Sequence, residues 1–583
     1  MLSLYPRDIS DFVKSLFLML VTAVAVAAGE LPDFRPMVAE AVKRGDAKVV
    51  IPRGTYRLAP AEGSKAVWSL TGVHDIEIEA NGVTLVATKL TRAVGLHACR
   101  NVTIQGLTVD YDPLPFTQGE VAAVAEDKSW IDVKLHAGYP SQPYSRIDVV
   151  DPVTRYRKKG MPFLWGTRAE MKGEDTVRVT LKDIGNAAKV GDLASLNTGP
   201  GEGGIPHAVA MDRCAHIIFR GLTVHSAPGM GIVEADGDGG NEYLACRVVP
   251  GPKPSGASEE RLLSTSWDAM QTKTVRRGPH VEGCEIAGAG DDSWSVQSSD
   301  FMVLKKESNR LVIACRDEYT IGVETGDRLM ARSGGPAVTI IGRRELSREA
   351  AQLAPEILAK LEDAPAWSEW RVSPQCLEVA FESGPSFEAG ESVFSPDRMG
   401  NGFVFIKNRL HSSGRLLLKA AGRVEDNVLD TPHALTVCPE LPANAAAGID
   451  GLVIRGNRIL RAGWFCAAPW SASAGALSIT AGGHGQTLRG PGIFMNLVIE
   501  DNVFEDCSGP NLVMSSVQGA VVKGNRFIRP GHENPNPTGA SYGIAKDAVV
   551  WIAECEGLQM EKNPAIDPGP FVKQVEVIRP SGP

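Results

Sequence analysis

The sequence predicts an all-β chain wound as a right-handed parallel β-helix and interrupted by two small β-barrel-like inserted modules. Three observations carry that prediction. Short apolar strands recur at 75–83, 101–109, 216–224, 281–286, 403–408, 452–457, 497–502 and 521–525, closed by Asn or Gly, the residues expected to take the left-handed turn of a corner. Repeats at roughly 20–30 residues, each with period-2 alternation, mark a solenoid of stacked strands. Gly and Pro, at 61 and 38 residues, stand above average usage and suit a turn-rich β protein. The chain has 583 residues, more than one globular core usually holds, and is 43% hydrophobic, enough to fill an elongated one.

Taken in order, residues 1–28 read as a secretory signal. Lys14 precedes the apolar run 16–26, and small residues follow to a cleavage point near Ala28. The run is short for a membrane span, so the mature chain is expected to be secreted or periplasmic, with no stable membrane span. Residues 29–119 form an N-terminal cap and the first coils. Within them, 34–43 has helical periodicity with Val38, Ala41 and Val42 on one side, and 49–58 is a strand, a turn and a strand. A helix at that point covers the open strand edge of a solenoid. Residues 120–200 form the first inserted module, with strands at 130–135 and 176–181 that lack the Asn or Gly corner. Central coils follow at 201–300. The second module, 301–400, has strands at 301–304 and 311–315 and a helix-like stretch at 347–358. Since it begins just after Asp292, it is expected beside the candidate site. Residues 401–583 are the C-terminal coils.

Composition excludes several functions. A net charge of −9 with no basic stripe leaves nucleic acid without phosphate contacts. No Gly-rich phosphate loop opens a helix after a strand, so no nucleotide cofactor is expected. The ten cysteines include no C-x-x-C pair, and Cys214, Cys246 and Cys284 sit in apolar strand-like runs. A metal site is therefore not expected, while export would permit one or two disulfides.

The candidate chemistry lies in three aspartates. Asp268 precedes the pair Asp291 and Asp292 by about one solenoid turn, which stacks the three on one wall at roughly 5 Å per coil. Glycosidic cleavage commonly uses one protonated and one ionised carboxyl group, and mutual repulsion among three keeps a proton available. The other reading of such aspartates is as turn-formers that bond their own backbone. Trp267 and Trp294 flank the cluster, and aromatic faces are what sugar rings stack on. Lys273, Arg276 and Arg277 lie between the aspartates, and Arg415 and Lys419 alternate on a later strand. Trp464, Trp470, Trp551 and Glu554 are candidates for a pocket from the last coils, and His207 reads as structural.

The segments 266–268, 278–284 and 290–293, together with 106–119, resemble the catalytic region of glycoside hydrolase family 110. That resemblance covers most of the mature chain. It implies a secreted, exo-acting α-galactosidase that removes terminal α-1,3-linked galactose with inversion, with Asp268, Asp291 and Asp292 matching the catalytic aspartates. A glycan with terminal galactose is the implied partner, and a homodimer is left open. A single Asp one coil from Gly-Asp-Asp is also similar to the polygalacturonase family, whose Gly-His-Gly follows its aspartates closely. Here Gly483-His484-Gly485 comes far downstream. Two further classes stay open: a polysaccharide lyase or epimerase, and a non-catalytic β-helix that binds glycans.

Overall fold

A computed structural model describes residues 31–159, 164–182, 188–197, 206–315, 322–332, 334–347, 349–351, 353, 355–357, 359, 375–432, 435–438, 448–463, 474–482, 487–535 and 542–579. The signal at 1–28, Trp464, Trp470 and Gly483-His484-Gly485 lie outside the described residues, as does part of 347–358. Among the described residues no helix is long and apolar enough to cross a membrane.

The chain is a parallel β-helix. A 23-stranded sheet holds two columns of strands that merge in the long strands His74–Ala87 and Arg100–Tyr111, and a 12-stranded sheet forms the remaining wall. The strands of these columns pair in parallel from coil to coil, as Met270–Lys273 does with Ile232–Ala235 before it and Trp294–Gln297 after it. The inward residues fuse into one apolar cluster from Phe34 to Ile552.

The helix expected at 34–43 spans Arg35–Arg44, with Val38 and Ala41 buried. Phe34, just before it, packs edge-on against Tyr56 and Trp68 at 5.2 Å each, so the helix closes the first coil. Two seven-stranded antiparallel sheets lie between coils. One runs from Phe116–Val124 to Leu193–Asn197, the other from Phe301–Glu307 to Ser392–Phe394, and each has its own apolar cluster.

The corners bear the left-handed expectation out for glycine, with Gly456 at φ 67° and Gly524 at 69°. They correct it for the asparagine that follows, since the left-handed residue is the one before it: Lys407 at φ 55°, Asp426 at 56°, Asp501 at 55°. The asparagine itself turns inward and is buried. Asn408, Asn427, Asn457, Asn502, Asn525 and Asn563 stack as a ladder through the C-terminal coils. In it each Oδ1 accepts the backbone N–H of the corner residue one coil earlier, at 2.8–3.1 Å. Each Nδ2 donates to a carbonyl of the preceding coil, as Asn457 does to Val424 at 2.8 Å. Polar groups are admissible in this core because each is bonded. Toward the N-terminus the column continues as Cys284, Cys246 and Leu222. Cys284 and Cys246 are free thiols, like the other cysteines described, so the disulfides that export would permit are not formed among them.

Replacing Asn457 by Ala strands a buried amide and carbonyl on each side. The expected cost is about 2–4 kcal/mol from the desolvation of unpaired buried groups. Thermal denaturation checks it: a melting temperature within 1–2 °C of the parent, about the shift a fraction of a kcal/mol gives, would contradict the ladder's role.

Candidate active site

Asp268 sits two residues before the strand Met270–Lys273, and Asp291 and Asp292 just before Trp294–Gln297, the next strand of the same sheet. Stacking is fixed by the backbone. Thr265 bridges Ala289 in parallel, Asp291 N–H donates to Trp267 O at 3.3 Å, and Ala269 N–H donates to Asp292 O at 2.8 Å. Gly288 turns this corner at φ 64°. At Gly290 a Cβ would lie 2.5 Å from Ser266 O, so only glycine lets the two coils approach.

One oxygen from each of Asp268, Asp291 and Asp292 lies within 4.8 Å of the others. Asp268 and Asp292 are buried, and Asp291 is the more open of the three. Ser295 Oγ donates to Asp268 Oδ2 at 3.1 Å, and Arg415 Nε donates to Asp292 Oδ1 at 2.9 Å. Burial, then the charges of Asp292 and Asp291, push the Asp268 carboxyl well above the usual carboxylate range, against the opposing pull of Ser295 and Arg415.

The remaining partners come from the first inserted sheet. Arg146 opens the strand Arg146–Val150, is wholly buried, and reaches Asp291 Oδ2 at 3.4 Å. Its guanidinium also donates to the carbonyls of Gly290 and Ser266. It stacks 4.4 Å from the ring of Trp165, its antiparallel neighbour, and 5.5 Å from that of Trp267. The two indoles lie 5.8 Å apart, both half-buried, as an aromatic wall beside Asp291. Arg157 NH2 adds a hydrogen bond to Gly290 O at 2.9 Å. Thus the first module touches the aspartates. Arg146 and Trp165 went unrecognised in the sequence. The available signal was Arg146 and Asp148 interleaved with apolar residues in a strand, a pattern that places charges in a core.

The other candidates divide. Trp267 and Arg415 are at the cluster. Lys273 and Lys419 project outward on the same sheet as Ser295, and Lys419 Nζ donates to Gln297 Oε1 at 3.0 Å, so both flank the floor about 7 Å along the strands. Trp294 is not a sugar platform. It points into the core, stacks on Phe405 at 5.1 Å and donates its Nε1–H to Thr272 Oγ1. Strand alternation is the reason, since Trp294 inward sets Ser295 outward. Trp551 shares the outward row of Ser295 but stands five strands away, about 24 Å. It is fully buried in a separate apolar cluster, and Glu554 ends the same distant strand, so neither joins the site. Arg276 lies past the other end of its strand, paired with Asp327 at 2.7 Å and Asp238 at 3.5 Å. His207 is buried, accepts the amide of Met230, and is held neutral by burial with its pKa lowered to about 3.

No family model matches the chain, and no curated protein does. Solved structures similar to it include the A-module of the mannuronan C-5 epimerase AlgE4 of Azotobacter vinelandii, with 9% identity over 96% of this chain and 98% of that one, TM-score 0.36. A tailspike protein of E. coli bacteriophage HK620, in complex with a pentasaccharide, has 10% identity over 90% and 63%, TM-score 0.38. The endo-xylogalacturonan hydrolase of Aspergillus tubingensis has 7% identity over 94% and 93%, TM-score 0.33. The likeness stops at the β-helix.

Because Asp268 binds its proton more tightly folded than unfolded, its carboxyl subtracts stability as pH rises from about 3.9 toward the raised folded value. Asp268→Asn removes that penalty. Its melting temperature relative to the parent is expected to climb with pH above 4, and a gap that stays flat from pH 4 to 8 would contradict the shift.

Proposed function

We propose that the chain is a glycoside hydrolase that removes terminal α-linked galactose, α-1,3-linked, from glycans. The observation that carries this is the triad with its charge balance. Two guanidiniums, Arg415 and Arg146, face three carboxyl groups, so the cluster is neutral when one carboxyl holds a proton. The galactose specificity and exo action rest on the resemblance of 266–268, 278–284 and 290–293.

In the mechanism, Asp268 gives its proton to the glycosidic oxygen as the bond from that oxygen to the anomeric carbon breaks. A water on the opposite face attacks that carbon and passes its proton to Asp292, the carboxylate paired with Arg415. The proton gained by Asp292 leaves to solvent and Asp268 is reloaded. Asp291, the most open of the three, stabilises the positive charge that develops on the sugar, and Trp267 and Trp165 supply the apolar face. A second reading follows from spacing. One oxygen of each carboxyl lies within 4.8 Å of the others, so a covalent, retaining route with Asp292 as nucleophile is the alternative to inversion.

Assays on α-1,3-, α-1,4- and α-1,6-galactosides and on polygalacturonate, with the product anomer followed by NMR, test the proposal. Release of β-galactose from the α-1,3 substrate is expected. Retained α-galactose selects the covalent route, and cleavage of polygalacturonate alone sinks the galactosidase reading.

Asp268→Asn is expected to lose at least 10³-fold on a natural disaccharide, within the 10²–10⁴-fold that general acids contribute. On an aryl galactoside with an acidic leaving group it should lose far less, while Asp292→Asn loses activity on both. Equal losses for Asp268→Asn on the two substrates would remove it from the acid role. Chelation with EDTA should leave the rate unchanged.

A further inference from the structure

Next to the aspartates, on the following coils, a cleft of about 730 Å³ is lined by Tyr156, Arg157, His411, Asp430 and Arg461. Its volume falls within the roughly 300–1,000 Å³ of small-molecule sites. Its place is set by register. His411 pairs with Ala287 on one side and Asp430 on the other, so the cleft begins one coil from the corner that carries Asp291, about 5–10 Å along the axis. Arg157 belongs to both, lining the cleft and donating to Gly290 O.

The polar groups in it are organised around one carboxylate. Tyr156 Oη donates to Asp430 Oδ2 at 2.6 Å and lies 2.8 Å from His411 Nδ1, and Arg461 also donates to Asp430 Oδ2. Asp430 is 7% exposed, and its Oδ1 is buried with no hydrogen-bond partner among the described residues. An unpaired buried carboxylate oxygen is costly unless something donates to it. The rings of Tyr156 and His411 meet at 4.9 Å, adding an apolar edge. The cations of the cleft are matched by anions. Lys158 pairs with Asp192, Lys159 with Glu533, Arg157 with Asp148 and Arg461 with Asp430. A ligand that fits is therefore uncharged, with hydroxyl donors and an apolar face.

We propose that this cleft is a second sugar subsite, in which a neutral sugar unit of the glycan next to the cleaved bond donates a hydroxyl to Asp430 Oδ1 and packs on Tyr156 and His411. The assignment rests on the glycosidase reading of the aspartates. Its first consequence is a preference for an oligosaccharide over a single galactoside.

Calorimetric titration of the full chain carrying Asp292→Asn tests it, with two probes: methyl α-galactoside and a trisaccharide ending in α-1,3-linked galactose. Adding Asp430→Asn should lower the ratio of trisaccharide to monosaccharide affinity about tenfold, the loss of one hydrogen bond to a charged group, and adding Tyr156→Ala, which removes the ring the sugar packs on, should lower it as well. An unchanged affinity for methyl α-galactoside in each variant guards against a folding defect. A ratio unchanged in both variants, or no trisaccharide binding at all, overturns the subsite. A wild-type chain that cleaves no galactoside, with a ratio that still falls in both variants, sinks the catalytic reading and keeps the subsite.

Discussion

Everything in this molecule depends on each coil turning at the same place. A residue forced into the left-handed region at each corner costs about 1 kcal/mol or more unless it is glycine. The buried amide that follows offsets that cost by joining two coils at once: Asn457 bonds both Asn427 and Asn502. The repeat of this motif keeps successive strands in register. Register in turn sets one-coil neighbours such as Asp268 and Asp292 on a shared wall, although neither touches the ladder.

The ladder reaches its N-terminal end at Cys284, on the coil that carries Asp291 and Asp292. Thiols and Leu222 fill the column below it, so the coils of the site have fewer internal ties. Two guanidiniums from the first inserted sheet, Arg146 and Arg157, close on the carbonyl of Gly290 from outside. They brace a corner that the core holds less firmly, and Arg146 supplies the charge that three crowded carboxyl groups require. Bracing and charge balance are thus one contact.

Much of this was legible in sequence, for a physical reason. Corner residues, strand alternation and coil length are local, so the β-helix, the capping helix and the stacking of Asp268 on Asp291 and Asp292 could be read directly. The asparagines mark the corners in sequence, but composition does not say which of two adjacent residues takes the left-handed turn and which turns inward. Trp294 was misplaced because proximity in sequence to an aspartate does not say which face of a strand a side chain occupies, whereas alternation with Ser295 does. Trp551 lies in the right row and on the wrong coil. Arg146 shows in sequence only as a charge within an apolar strand, and its place at the aspartates, like that of Trp165, does not show, because nothing in a repeat pattern says where an inserted sheet leans.

The two inserted sheets leave the chain before and after the coils that carry the triad, between Tyr111 and Val209 and between Gln297 and Phe403. A solenoid tolerates extra chain at nearly any corner, since each coil contacts only its neighbours. The stretch from Asp268 to Asp292 has no such slack: one added coil there would move the aspartates apart by a further strand spacing, about 5 Å. Over evolutionary time this architecture is free to lengthen or exchange chain on its flanks so long as the arginines that meet Gly290 and Asp291 are kept, with the turn between its acidic residues as the interval whose length is fixed.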